Sequence, residues 1–213
     1  MNATTILWIV VAAGCSYLIG AINPASLIAR SRGVDLAGSG SGNPGATNAA
    51  RVMGRKTGIA VLIFDVLKGV IPVLVFRWLA GPGIGEIAGF AAVLGHITSP
   101  FLHGKGGKGV ATTIGVVLAV YPLWLIPMAI AFAIIFVWSR RTGLASVAAA
   151  IALIAVALVD HHDRELSVFG VLLGILIIIR HQSNIRSAYT SMRAGQFRPE
   201  HRQKDDASTS ESS

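Results

Sequence analysis

Three short polar stretches in an otherwise apolar chain carry residue types suited to binding phosphate. The first, GSGSGNPGATNAARVMGRK, occupies residues 38–56. Within it, Ser41-Gly42-Asn43-Pro44-Gly45 predicts a turn, because glycine permits positive φ and proline fixes it negative. Thr47 or Asn48 is then placed to cap a short helix that carries Arg51 one turn later. Backbone N–H groups of a glycine-rich loop and a helix N-terminus attract an anion, and Arg51 adds a planar fork that matches phosphate. The competing reading is a flexible loop whose cations only mark membrane topology.

The second stretch is His103-Gly104-Lys105-Gly106-Gly107-Lys108-Gly109, followed by Val110-Ala111-Thr112-Thr113. Its glycines and two lysines fit a phosphate nest. It is not a Walker A loop, which needs Ser or Thr directly after Gly-Lys, whereas Gly109 follows Lys108. The third is His181-Gln182-Ser183-Asn184-Ile185-Arg186, at the end of the last apolar run. There His181 is either a general base and hydroxyl partner or an interfacial histidine snorkelling beside Arg180.

Other polar residues invite plainer readings. Asp65 and Lys68, at i and i+3 inside an apolar run, neutralise each other as a structural pair. His96 and Ser99 either line a site or bond between helices. His161 and His162, beside Asp163 and Glu165, read as a solvated loop rather than a metal site. Cys15, the only cysteine, reads as packing, and it leaves no internal disulfide or cysteine metal cluster. No metal or cofactor is expected.

The elements that must position these groups are membrane helices. The 213 residues are 53% hydrophobic and only 13% charged, with a mean hydropathy of +0.66, too apolar for an ordinary soluble domain. Uncharged runs cover residues 5–29, 58–79, 86–102, 110–138, 144–159 and 166–179. They are continuous rather than alternating, which excludes a transmembrane β-barrel. No cation precedes the first run, so it lacks the basic region of a cleaved leader and reads as a retained helix. The formal charge of +8 sits in short loops without interleaved aromatics, which argues for topology and anion binding and against nucleic acid.

The run 110–138 would reach about 44 Å as one helix. That would put the cations of HGKGGK and SRRTG on opposite faces. A break at Tyr121-Pro122 gathers them on one side, with Arg30, Arg32, Arg51, Arg55, Lys56 and the basic C-terminal segment. The expected fold is therefore an all-α integral membrane protein of seven transmembrane helices, several of them short, with the N-terminus out and the C-terminus in. Residues 1–197 form a single domain and 198–213 a polar, disordered cytoplasmic tail. Small residues from Ala145 to Ala152 suit close helix packing. A transporter or channel for a phosphorylated anion is the alternative, but it predicts a charged path through the bilayer and polar residues at both mouths. The opposite face here is sparse in charge.

GSGNPGATNAARVMG, LGHITSPFLHGKGGKGVATT and HQSNI at 181–185 resemble, in order, the three signatures of the bacterial acyl-phosphate:glycerol-3-phosphate acyltransferases, the PlsY family, and FDVLKG at 64–69 follows the first at the expected interval. The likeness covers residues 14–186. It implies transfer of a fatty acyl group from acyl phosphate to the 1-hydroxyl of glycerol 3-phosphate, at the cytoplasmic face of a bacterial inner membrane and without a cofactor. It further implies catalytic roles for Ser41, Arg51, Lys108 and His181. Substrate binding falls by the same likeness to Gly42, Asn43, Gly45, Thr47, Asn48, Gly104, Gly106, Gly107, Gly109 and Asn184. The implied partners are the two small-molecule substrates and membrane lipids, and a monomer is compatible with the sequence. One departure stands out: the family pattern has Gly-x-Glu after the asparagine, whereas this chain continues SAYTSMRAGQF, with Gln196 after Gly195.

Overall fold

The computed structural model describes residues 2–160 and 164–195, the side chains of 164 and 165 excepted. His161, His162 and Asp163, Gln196 and the tail 198–213 lie outside the described residues. Among those described, all regular structure is helical and no strand occurs. The chain divides into two compact units, Met1–Leu123 and Trp124–Ser213.

The first unit contains α1 (Ala3–Ala21), α2 (Pro24–Ser31), α3 (Ala46–Met53), α4 (Arg55–Ala80), α5 (Pro82–Ile97) and α6 (Val110–Val120), with a 3-10 turn at Pro100–Leu102. The run expected as one helix over 5–29 is broken. Ile22 and Asn23 are extended, and the Asn23 side chain accepts from the Ser26 N–H to cap a new helix that opens with Pro24. Helix α5 starts inside GPGIG, because Gly81 at φ 94° ends α4 and Pro82 suits a first helical position. It stops at Ile97, short of the expected 102, since Pro100 begins a separate turn. Helix α1 packs on α5, and α4 on α5 and α6. Glycine permits the α1–α5 approach: a Cβ on Gly20 would meet the Ala92 carbonyl carbon at 2.7 Å, and one on Gly95 the Tyr17 carbonyl carbon at 2.9 Å.

Helix α6 ends at Val120 and Tyr121, at φ −150° and ψ 84°, leaves helical geometry, so the long run breaks at Tyr121-Pro122, as the charge distribution requires. The second unit contains α7 (Leu125–Ser139), α8 (Thr142–Val159), α9 (Arg164–Arg180) and α10 (Gln182–Arg193). Its core sets Leu153 of α8 and Leu173 of α9 among the small buried residues Ala145, Ala149, Ala150 and Ala157. Trp124 is buried and donates its indole N–H to Asp160 Oδ2 at 2.8 Å. Helix α10 is absent from the sequence reading. It leaves the axis of α9 at 56° and carries a polar, arginine-bearing sequence.

The distribution of side chains is that of a membrane protein. Large apolar residues lie outside, among them Trp78, Ile134, Val137 and Trp138, while Ser16, Asp65, Lys68, His96, Thr112 and Thr113 lie inside. Among the described residues, four helical stretches are long and apolar enough to cross a bilayer, α1 and α2 together counting as one; they are five if the bent pair of α9 and α10 counts as another, and α6 is a shorter apolar helix. The protein is a multi-pass membrane protein on this evidence.

Candidate active site

The Ser41 segment is folded around one side chain. Asn48 lies in α3 and is 1% exposed. Its Oδ1 accepts the Ser41 N–H at 2.8 Å, and its Nδ2 donates to the carbonyls of Ser39 at 3.1 Å and Leu36 at 3.3 Å. Neither Thr47 nor Asn48 caps the helix, as the sequence suggested; the N-cap is Gly45, which offers no side chain. Asn48 is instead the post on which the loop is built. A further turn, closed by Gly42 N–H to Ser39 O at 3.0 Å, presents Ser41 outward. The glycines serve this shape: Gly40 and Gly42 have φ of 60° and 67°, which costs a residue with a Cβ.

Arg51 follows Asn48 by three residues and is therefore on the same side of α3. Its Cδ lies 3.4 Å from where a Cβ on Gly40 would sit, so its stem runs beside the loop that carries Ser41. Both Ser41 and Arg51 are exposed, as is Thr47, while Asn43 and Gly45 are half-buried. A hydroxyl, a guanidinium and a helix start thus share one small module.

The glycine–lysine loop is built differently from a nest. The N–H groups of Gly104, Lys105, Gly106 and Gly107 donate to Ser99 O, Leu102 O, Ile97 O and His96 O, at 2.9, 2.9, 3.1 and 3.1 Å. These amides are committed to the end of α5 and the turn after it, so they fold the loop rather than face an anion. Gly107 lies against the His96 ring, where a Cβ would approach Cε1 to 2.8 Å and collide with Nε2. What the loop presents is Lys105, exposed, and Lys108, half-buried, ahead of α6, whose N-cap Gly109 again offers no side chain. First-turn amides of such a helix have no intrahelical partner and attract negative charge.

His181 and Asn184 belong to the second unit. His181 is 2% exposed, which excludes the snorkelling alternative. It sits at the N-cap of α10, and its Nδ1 is 2.8 Å from Ile177 O. A ring nitrogen facing a carbonyl must carry the proton, so the neutral ring keeps its lone pair on Nε2. Asn184, one turn later, packs on the start of α8, where Gly143 leaves room for its amide.

The remaining polar residues resolve into structure. Asp65 and Lys68 form a buried ion pair at 2.9 Å, and Asp65 Oδ1 is 3.5 Å from His96 Nδ1. Ser99 donates to Ala21 O at 2.7 Å. Cys15 is exposed. Asn23 escaped the sequence reading, although its Asn-Pro dipeptide is a helix-start signal; its Nδ2 donates to Pro44 O at 2.8 Å, beside Ser41.

A family model described as glycerol-3-phosphate acyltransferase matches residues 9–191. The chain belongs to that family. It is 43% identical over 173 residues to a glycerol-3-phosphate acyltransferase of Geotalea daltonii, covering 80% of this chain and 89% of the relative. It is 40% identical over 177 residues to the Aquifex aeolicus protein of the same name, covering 82% and 92%. It is also similar to a crystal structure of PlsY, an integral membrane glycerol 3-phosphate acyltransferase, in its glycerol 3-phosphate form. That likeness has a TM-score of 0.81 at 37% identity, over 90% of this chain and 94% of that one. A lysophosphatidic acid form of PlsY gives a TM-score of 0.79 at 36% identity, over 90% and 94%. The chain is thus a membrane acyltransferase, as its ordered motifs imply.

Proposed function

We propose that the chain transfers a fatty acyl group from acyl phosphate to the 1-hydroxyl of glycerol 3-phosphate, giving 1-acyl-glycerol 3-phosphate and inorganic phosphate. The observation that carries this reading is the exposed Ser41–Arg51 module, built on Asn48, in the same unit as the glycine–lysine loop. Two anionic substrates call for two cationic loops. Family membership and the ligand forms of the PlsY structures support the acceptor.

The hydroxyl oxygen of glycerol 3-phosphate adds to the acyl carbonyl carbon, and the bond from that carbon to the phosphate oxygen breaks. Arg51 and Lys108 clamp phosphate, and Ser41 donates a hydrogen bond to it or holds the attacking hydroxyl. Charge on the leaving phosphate falls to the loop lysines and the start of α6. The hydroxyl proton passes to a base, for which the family likeness offers His181 and the chemistry offers the substrate's own phosphate, and the same likeness assigns Asn184 to the acceptor substrate. An acyl phosphate is a mixed anhydride with a good leaving group, so orientation and charge stabilisation supply most of the rate. The acyl chain lies among the short helices, open to lipid. Transfer is taken as direct, no base neighbouring Ser41 in sequence to activate it as a nucleophile, and a trapped acyl-Ser41 would overturn this reading.

The same reading puts seven crossings in a bacterial inner membrane, with the N-terminus outside and the site and C-terminal tail in the cytoplasm, on the side of the loop cations. Residues 1–197 are the catalytic domain. Purified protein given acyl phosphate and glycerol 3-phosphate forms lysophosphatidate and phosphate. No product, together with flux of a phosphorylated anion through proteoliposomes, would establish the transporter instead.

A further inference from the structure

A helix that stops inside a membrane protein leaves its last carbonyls without intrahelical partners, and each must be met by another donor. Helix α1 stops at Ala21, and two side chains from distant parts of the chain meet its end. Ser99 Oγ donates to Ala21 O at 2.7 Å, and Lys68 Nζ donates to Ile22 O at 2.8 Å. The next residue, Asn23, is 5% exposed; it caps α2 through Oδ1 and reaches Pro44 O through Nδ2.

These bonds connect the two cationic loops. On one side, Asn23 grips the Ser41 loop at Pro44. On the other, the Ser99 backbone carbonyl accepts the Gly104 N–H at 2.9 Å, which starts the glycine–lysine loop. A second line of contacts runs from Ile22 O through Lys68 to Asp65 at 2.9 Å, whose Oδ1 lies 3.5 Å from His96 Nδ1. The His96 carbonyl accepts from Gly107, whose missing Cβ leaves room for the His96 ring. Asn23, Asp65, Lys68, His96 and Ser99 are all buried and belong to one unit. A lone Asp65–Lys68 pair would need no such extension to be neutral.

We propose that the junction between α1 and α2 at Ala21–Asn23 is a hub that fixes the distance between the two phosphate-binding loops, and that Asn23 and Ser99 are positioning residues for acyl transfer. This rests on the reading of those loops as the two phosphate sites. The hub touches no substrate. It sets where one bound anion stands relative to the other, which is what an oriented bimolecular transfer requires.

The test separates position from packing. Asn23→Asp keeps the Oδ1 acceptor that caps α2 and replaces the donor to Pro44 with an oxygen; Ser99→Ala removes the donor to Ala21. Each locally intact loop still binds its own phosphate, so each variant lowers kcat by ten- to a hundredfold, on the order expected for a misplacement of about 1 Å, with both KM values within about threefold. Because both act through one hub, the double variant is no more than about threefold worse than the poorer single variant. Multiplying losses would overturn the hub, as would wild-type kcat in both single variants. A rise in both KM values with unchanged kcat would also overturn it, as general loosening. If the double variant fails to fold, as judged by thermal unfolding in detergent, the single-variant kcat values decide alone. Wild-type protein in the same assay keeps the two proposals apart: an inactive wild type refutes the acyltransferase reading, and an active wild type with insensitive variants refutes only the hub.

Discussion

Replacing Asn48 by alanine removes the three hydrogen bonds that shape the Ser41 loop, to Ser41 N, Ser39 O and Leu36 O. Each such bond contributes about 1 kcal/mol net. Water can replace Asn48 at the exposed Ser41 and in part at the half-buried Ser39, whereas the bond to Leu36 is buried. The expected stability loss is therefore about 1–3 kcal/mol, visible as a lower unfolding midpoint in detergent but compatible with folding. Catalysis should suffer more. Without its tether the Ser41 amide drifts, and a shift of about 1 Å costs on the order of a hundredfold in rate, or about 2.7 kcal/mol of transition-state stabilisation. Asn48→Asp is the control, because it keeps an acceptor for Ser41 N–H while setting an oxygen against the two carbonyls. It should lose stability like the alanine variant yet keep more of kcat. The assay is steady-state release of phosphate from acyl phosphate in the presence of glycerol 3-phosphate. If Asn48 acts through Ser41, adding Asn48→Ala to Ser41→Ala costs less than about threefold further. Fully multiplicative losses, or a folded Asn48→Ala with wild-type kcat/KM, would refute the reasoning.

Three further outcomes follow from the geometry. Gly107→Ala drives a Cβ into the His96 ring and should lower kcat/KM by at least about tenfold through displacement of Lys108, whereas Gly104→Ala, with open space around its Cα, keeps Lys108 in place and loses less, its positive φ being the only strain; equal losses would count against the steric account. His181→Gln removes the proposed base, whose Nδ1 faces Ile177 O, so kcat in single turnover should fall by about a hundredfold or more, and a drop under tenfold would assign the proton to the substrate phosphate. Arg51→Lys keeps the charge but loses the planar fork, so KM for glycerol 3-phosphate should rise by about tenfold with kcat less affected, and an unchanged KM would remove Arg51 from phosphate binding.

The sequence by itself determined what local chemistry can determine. Continuous apolar runs made this a membrane protein, the cations around Tyr121-Pro122 located a helix break, and three ordered motifs pointed to the family. Those signals are local, since hydropathy, proline and loop charge act within a few residues of themselves. Three elements were misplaced for the same reason. The break at Asn23, the early start of α5 and the existence of α10 depend on Asn-Pro, Gly-Pro and His181 as helix boundaries inside or beside runs whose hydropathy hid them. Roles within the site needed the tertiary structure. Asn48 looked like a cap or a substrate ligand, and only the return of residues 36–41 across α3 made it the post of the Ser41 loop. The glycine loop looked like a nest, until the end of α5 consumed its amides. His181 suited the interface better than catalysis; its burial rules out snorkelling, and its catalytic role rests on the proposal above. Bonds such as Asn23 to Pro44, Lys68 to Ile22 and Ser99 to Ala21 join residues 21, 46 and 78 positions apart. No periodicity encodes such pairs, because it is the packing of whole helices that sets unmet carbonyls beside donors.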